Sequence, residues 1–315
     1  MSEKINTITS TTPIEGVDSR NASLNVGSQA PLKQNTLKNY VLLMFGEFLG
    51  TFLFLSLAFG GTQAVKINHA SNSSSFPKDP TRVVPTPELL LYESLSAGFS
   101  LTVNVWAFYR VTGAFFNPAI TLGCVLIGGV PPLKGALIGS AQLLGGIAAA
   151  GLVEGLTPGK LAVGTSLAPD VSVVQGLFIE DMVFLTKSLH AGKEAYIVSG
   201  HQLAVEKHRA TFIAPLGIGL CFFTILLFGN YFTGASLNPA RSLGPAVITR
   251  DFPGYHWIYW VGPCLGAALG AAVYKILLLA NYHTVNPGQD DDGLSIVRYE
   301  ISHRGAASGL ADENV

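Results

Sequence analysis

The sequence predicts an all-α membrane protein in which six spanning helices and two re-entrant half-helices form an inverted repeat, and three observations carry that prediction. The first is composition. Of 315 residues, 49% are hydrophobic and only 12% charged, with a mean hydropathy of +0.41, too apolar for an ordinary soluble domain. The apolar residues gather in blocks that reach the ~20 residues needed to cross a bilayer. The second is a duplicated motif: Thr112 to Ala119 and Thr233 to Ala240 both read Thr-Gly-Ala-x-x-Asn-Pro-Ala. A lone Asn-Pro-Ala is most simply a helix start, with Asn as the cap and Pro at the first helical position. Two copies in the same frame, one in each half, indicate an internal duplication. The third is that the first copy leads into an apolar segment, Ile120 to Val130, closed by Pro131-Pro132 and too short to cross a bilayer. It suits a half-helix starting at Asn117, a form allowed only where its backbone is buried or lines a cavity.

A formal charge of −1 points to no nucleic-acid partner, and neither a cofactor fingerprint nor a metal-ligand spacing among the seven histidines is present. No cofactor is expected. Cys124, Cys221 and Cys264 fall inside apolar segments and read as packing thiols.

Residues 1–38 are rich in Ser, Thr, Asn, Gly and Gln and read as a disordered cytoplasmic tail without a secretory-signal pattern. The membrane domain is expected over 39–282, with repeat one at about 39–156, repeat two at about 171–282, and a second cytoplasmic tail at 283–315. The first span, Tyr40 to Ala64, carries one charge, Glu47. A carboxylate at that depth either faces inward and holds backbone groups or snorkels to the helix end. The connector from Val65 to Glu88 contains Pro77, Pro80, Pro85 and Pro87, and Asn72-Ser73-Ser74 is a glycosylation acceptor pattern if this loop is extracellular. The second span covers Leu89 to Tyr109. The third, Leu133 to Leu156, places Gln142 among small residues suited to a close helix contact.

The fourth span falters. Val171 to Leu185 is largely apolar, but Thr186 to Gln202 contains Lys187, His190, Lys193, Glu194 and His201. The fifth span, Phe212 to Phe232, follows a basic cluster, and the sixth, Tyr255 to Ala280, opens on Tyr255, Trp257, Tyr259 and Trp260 as an interfacial aromatic belt. The second motif precedes a short helix to about Thr249.

Halves with an odd number of spans insert in opposite orientation. The half-helices then meet near the midplane with their N-termini, where unpaired N–H groups and the positive dipole ends point inward. Asn117 and Asn238, capping their own helices, would aim amide donors at one spot. Such a site offers hydrogen bonds to a neutral molecule and opposes a passing cation or proton.

With these residues the chain resembles the aquaporins, in particular the water-type aquaporins of fungi. The resemblance covers about residues 40–280, through Gly46-Glu47-Phe48-Leu49-Gly50-Thr51, Phe116-Asn117-Pro118-Ala119, Ala204-Val205-Glu206-Lys207-His208-Arg209 and Leu237-Asn238-Pro239-Ala240-Arg241-Ser242. It implies a homotetramer with one pore per protomer, and Glu47 and Glu180 as equivalent buried scaffold carboxylates. It also implies an outer filter of four residues: Arg241, Phe99 on the second helix, Ala235 in the loop, and Leu226 on the fifth helix. Water-specific members carry His where Leu226 stands. The exchange makes the filter more apolar and brings hydrogen peroxide or another small neutral solute into range. Ser242 and Tyr259-Trp260 depart from the glycerol-conducting pattern.

In this family Phe-Ile-Glu and Ala-Val-Glu-Lys-His are joined by a short apolar run. Here Phe178-Ile179-Glu180 and Ala204-Val205-Glu206-Lys207-His208 are separated by a long polar stretch, with 187–202 foreign to the pattern. Two explanations stay open: translated intron sequence in the gene prediction, or a genuine but degraded helix. The expectation is therefore a passive channel for water, with peroxide or other small neutral solutes, in a lipid bilayer. The plasma membrane is the expected residence, with both termini cytoplasmic. The competing expectation is a non-conducting or misfolded membrane protein with a structural role. A coupled transporter would need ionisable residues at the midplane beyond these scaffold glutamates.

Overall fold

The structure, a computed structural model, describes residues 36–72, 79–198, 213–281 and 285. The chain divides into two units, Met1–Asn39 and Tyr40–Val315. Of the first, only the opening residues of a helix are described. The expected tails at 1–38 and 283–315 lie outside the described residues except for 36–38 and 285. All regular structure among the described residues is helical: α1 (Thr36–Asn72), α2 (Pro87–Phe108), α3 (Pro118–Leu126), α4 (Pro132–Leu156), α5 (Val173–Val198), α6 (Ala214–Thr233), α7 (Pro239–Thr249) and α8 (Ile258–Leu279).

Local chemistry sets most of these boundaries. Thr86 caps α2 by accepting from the Leu89 N–H, with Pro87 at the first helical position. Gly234, left-handed at φ 73°, ends α6. α1 runs beyond the expected connector start at Val65, because no proline or glycine interrupts Val65 to Asn72. Its 37 residues extend roughly 55 Å at 1.5 Å per residue, well beyond a ~30 Å hydrocarbon core. Asn72 is its last residue, and the Ser73-Ser74 part of the glycosylation pattern lies outside the described residues.

Among the described residues, four helices are long and apolar enough to cross a membrane: α1 from Leu37, α4, α6 and α8. α2, with 22 residues, and α5, with 26, are as long but more polar. In α2 the polar residues turn inward, since Glu93, Ser94, Ser100, Thr102 and Asn104 are buried. α5 is one continuous helix to Val198, and the polar stretch from Lys187 lies within it up to that point. Lys, Leu, Ala and Glu there are sound helix formers whatever their polarity. Residues 199–202 lie outside the described residues.

α3 and α7, of 9 and 11 residues, reach only about 14 and 17 Å. Each packs on the last helix of the other half. A side chain at Gly123 of α3 would stand 3.7 Å from Ala267 of α8, while Gly244 of α7 and Gly146 of α4 bring their backbones into direct contact. This interlocking places the two motifs back to back at the centre. Around them Phe54, Leu55, Phe59, Phe116, Phe184, Phe222 and Leu237 form the core.

Candidate functional site

The two motifs meet with matching geometry. Gly113 and Gly234 have φ of 100° and 73°, Ala114 and Ala235 53° and 39°, and Phe116 and Leu237 51° and 52°. Left-handed backbone is disfavoured for residues with a Cβ by about 1 kcal/mol or more, so each loop needs external support. Two buried carboxylates provide it. Glu47 on α1 accepts from the N–H groups of Phe115 (3.2 Å) and Phe116 (3.0 Å) and from Gln142 Nε2 (2.8 Å). Glu180 on α5 accepts from the N–H groups of Ser236 (2.9 Å) and Leu237 (2.7 Å) and from the Thr233 hydroxyl (2.6 Å). The threonine hydroxyls repeat the pattern once more. Thr112 Oγ1 accepts from the Ala114 N–H at 3.0 Å and Thr233 Oγ1 from the Ala235 N–H at 3.1 Å.

Asn117 and Asn238 are both extended residues at a helix start, followed by Pro118-Ala119 and Pro239-Ala240. The Oδ1 of Asn117 accepts from the Ala119 N–H at 2.9 Å, and that of Asn238 from the Ala240 N–H at 3.0 Å. Each Nδ2 then crosses to the other motif: Asn117 donates to the Leu237 carbonyl at 2.6 Å, and Asn238 to the Phe116 carbonyl at 2.9 Å. A side-chain amide carries two N–H donors, so each asparagine keeps one beyond its cross bond. Two half-helix N-termini with like dipole ends converge here, which favours negative or hydrogen-bond-accepting groups and opposes cations.

Beside the second motif lies a cavity of about 30 Å³, more than the ~10–15 Å³ that one water needs. Arg241, Ala235 and Leu226 line it, together with Ala58, Phe59, Thr62, Glu93, Ala97 and Asn230. The Arg241 side chain is fixed from two sides: Nη1 donates to the Val163 carbonyl at 2.6 Å, and the guanidinium stands 5.5 Å from the Phe59 ring centroid. Val163 belongs to the connector between α4 and α5, which is itself tied to α1. Gln63 donates to the Lys160 carbonyl and accepts from the Ala162 N–H, and Lys66 Nζ donates to the Ala162 carbonyl.

The model of the major intrinsic protein family matches residues 34–274. The chain belongs to this family. The family is one of membrane channels rather than enzymes. Among its curated relatives, Aquaporin-7 of Botryotinia fuckeliana is 49% identical over 256 residues, covering 81% of this chain and 54% of that protein. Aquaporin-1 of Gibberella zeae is 44% identical over 262 residues, covering 83% and 77%. The chain thus spans about half the length of the first relative and three quarters of the second. The X-ray structure of the aquaglyceroporin from Plasmodium falciparum superposes with a TM-score of 0.60 at 23% identity, over 76% of this chain and 97% of that one. That likeness shows the shared fold.

Within the family frame, three of the four expected filter residues, Arg241, Ala235 and Leu226, come together at the cavity. Phe99 does not. It is 58% exposed, whereas Ala97 lines the cavity. Two residues along an α-helix turn the side chain by roughly 200°, so Phe99 points away from the face that carries Ala97. The signal was present in the sequence: Glu93, Ala97, Ser100 and Asn104 recur at helical spacing and mark the inward face of α2. Phe59 and Asn230 are not legible in the sequence, because single residues on apolar helices carry no motif.

Proposed function

We propose that the protein is a passive channel for water and other small neutral solutes, hydrogen peroxide among them, that excludes protons and ions. The observation that carries this reading is the reciprocal pair of Asn117 and Asn238, each capping a half-helix and keeping an amide donor at the meeting point. A neutral molecule exchanging hydrogen bonds there is stabilised, while the converging helix dipoles disfavour a cation. The names of the fungal relatives support the same reading. Arg241, Leu226, Ala235 and Ala97 form the outer constriction in this account, and the mostly apolar lining beside one fixed guanidinium favours solutes without charge.

The protein assembles as a homotetramer with one pore per protomer and resides in the plasma membrane with both termini cytoplasmic. The continuous backbone of α5, with Glu180 holding the second motif, favours conduction over a purely structural role. Reconstitution of the full chain into proteoliposomes tests this. Osmotic shrinkage should be at least about tenfold faster than in bare lipid, without dissipation of an imposed pH gradient. Shrinkage no faster than bare lipid would sink the proposal.

A further inference from the structure

The cavity is layered, and its one acidic side chain lies off the level of Ala97, Leu226 and Ala235. Ser100 Oγ donates to the Phe54 carbonyl at 2.6 Å and Lys66 Nζ stands 3.4 Å from Glu93, so α2 runs backward as α1 runs forward. A Cβ at Gly98 would stand 2.8 Å from Phe223, and Asn230 Nδ2 donates to Ser94 Oγ at 3.2 Å, so α6 is antiparallel to α2 as well. Ala58, Ala97 and Leu226 therefore share one level, joined by Ala235. Thr62, Glu93 and Asn230 lie four residues away on the same three helices and at the same end. Four residues are about 6 Å of helix rise. The first level offers no side-chain hydrogen-bond acceptor; the second does.

Glu93 is the acidic member of that second level. It is 9% exposed and lines the cavity, and its buried Oε1 is the oxygen that faces Lys66, which leaves Oε2 as the oxygen a solute can reach. Lys66 balances its charge from 3.4 Å while donating to the Ala162 carbonyl at 2.9 Å. A neutralised carboxylate does not trap cations, yet its oxygens remain strong acceptors.

We propose that Glu93 is a specificity-determining acceptor of the constriction, and that it favours a neutral solute of two linked oxygens, hydrogen peroxide, over water. One peroxide oxygen accepts a hydrogen bond from Arg241 while the other donates one to Glu93, both of which line the cavity. Water, with one oxygen, can bridge the two groups only over a shorter span than peroxide. The inference rests on the channel reading above and adds the residue that discriminates between its solutes.

The test uses the full chain in proteoliposomes, with water permeability read from osmotic shrinkage and peroxide influx from an encapsulated peroxidase-coupled dye. Glu93→Leu should lower the peroxide-to-water permeability ratio about tenfold. Glu93→Gln, of the same size and retaining a weaker neutral acceptor, should lower it about threefold. Lys66→Met, which removes the ion pair but keeps the acceptor, should not lower it. If Glu93→Leu is not recovered folded, the isosteric Gln variant decides alone. An unchanged ratio in Glu93→Gln, with both solutes conducted, overturns the role of Glu93 and leaves the channel reading intact. A Lys66→Met ratio as low as that of Glu93→Leu also overturns it, since the ion pair would then be the relevant unit. A parent protein that conducts neither solute overturns the channel reading and this inference together.

Discussion

Asn117 and Asn238 exchange hydrogen bonds across the centre of the molecule, each amide donating to the carbonyl of the residue that precedes the other, at 2.6 and 2.9 Å. Each side chain also caps its own half-helix, so one residue fixes a helix start and the seam between the two halves. Alanine at either position removes a cap worth about 1 kcal/mol and leaves a buried carbonyl unpaired, a further loss of about 1–3 kcal/mol. Asn117→Ala and Asn238→Ala should therefore each lose about 2–4 kcal/mol in mixed-micelle unfolding titrations. Water flux should fall at least fivefold. The double variant should lose less than the sum, because both changes open the same seam. Strict additivity would mean that the two asparagines act independently.

Glu47 and Glu180 are the two supports behind that seam, each with both carboxylate oxygens accepting backbone N–H groups of a left-handed loop. Glutamine keeps the shape but turns one acceptor into an NH2 that faces an N–H. We expect Glu47→Gln and Glu180→Gln each to lose about 1–3 kcal/mol and to reduce water flux with little change in helix content by circular dichroism. Full flux in Glu180→Gln would show that the second loop holds its shape without the carboxylate.

Much of this framework is legible in the sequence because its elements repeat. The duplicated Asn-Pro-Ala marks both half-helices, the one acidic residue in the first span is Glu47, and the short apolar run after Asn117 cannot cross. The cavity wall is harder to read. Phe99 and Ala97 differ only by helix phase, and a resemblance between sequences fixes phase only when the register is counted from a residue on the same helix. Glu93 and Asn230 become meaningful only once three helices are in antiparallel register. The last two turns of α1 are not marked by apolar composition, since Val65 to Asn72 is largely polar yet holds no proline or glycine to end the helix.

The phase of α2 is directly testable. A phenyl ring at Ala97 would project into a cavity of about 30 Å³, whereas the ring of Phe99 lies on an exposed face. Ala97→Phe should lower solute flux at least fivefold, and Phe99→Ala should leave it within about twofold, by the difference between filling and sparing a space only a few waters in size. The reverse outcome would place Phe99 at the constriction.

Leu226 sits on the cavity level with Ala97 and Ala235 and offers no hydrogen bond. Leu226→His adds an imidazole that can donate and accept. Water flux should persist while peroxide flux falls about threefold or more, a change of the size of one hydrogen-bonding contact. If neither flux moved, Leu226 would not belong to the constriction.

Arg241 carries the only guanidinium among the cavity-lining residues, held by the Val163 carbonyl and the Phe59 ring. Its charge opposes cations at a point where the surrounding Ala97, Leu226 and Ala235 offer no polar side chain. Removing it leaves Glu93 and Lys66 as the charged pair near the cavity, with no net positive charge of their own. Arg241→Val should therefore raise cation or proton leak while water flux is maintained or increased, read with an encapsulated pH-sensitive dye under an imposed gradient. Arg241→Lys keeps the charge but loses the planar fork that bonds Val163 and faces Phe59. It should preserve exclusion and slow flux, as a mobile ammonium occupies the opening. Equal leak in the two variants would assign exclusion to shape rather than charge, and leak in neither would assign it to the paired half-helices at Asn117 and Asn238.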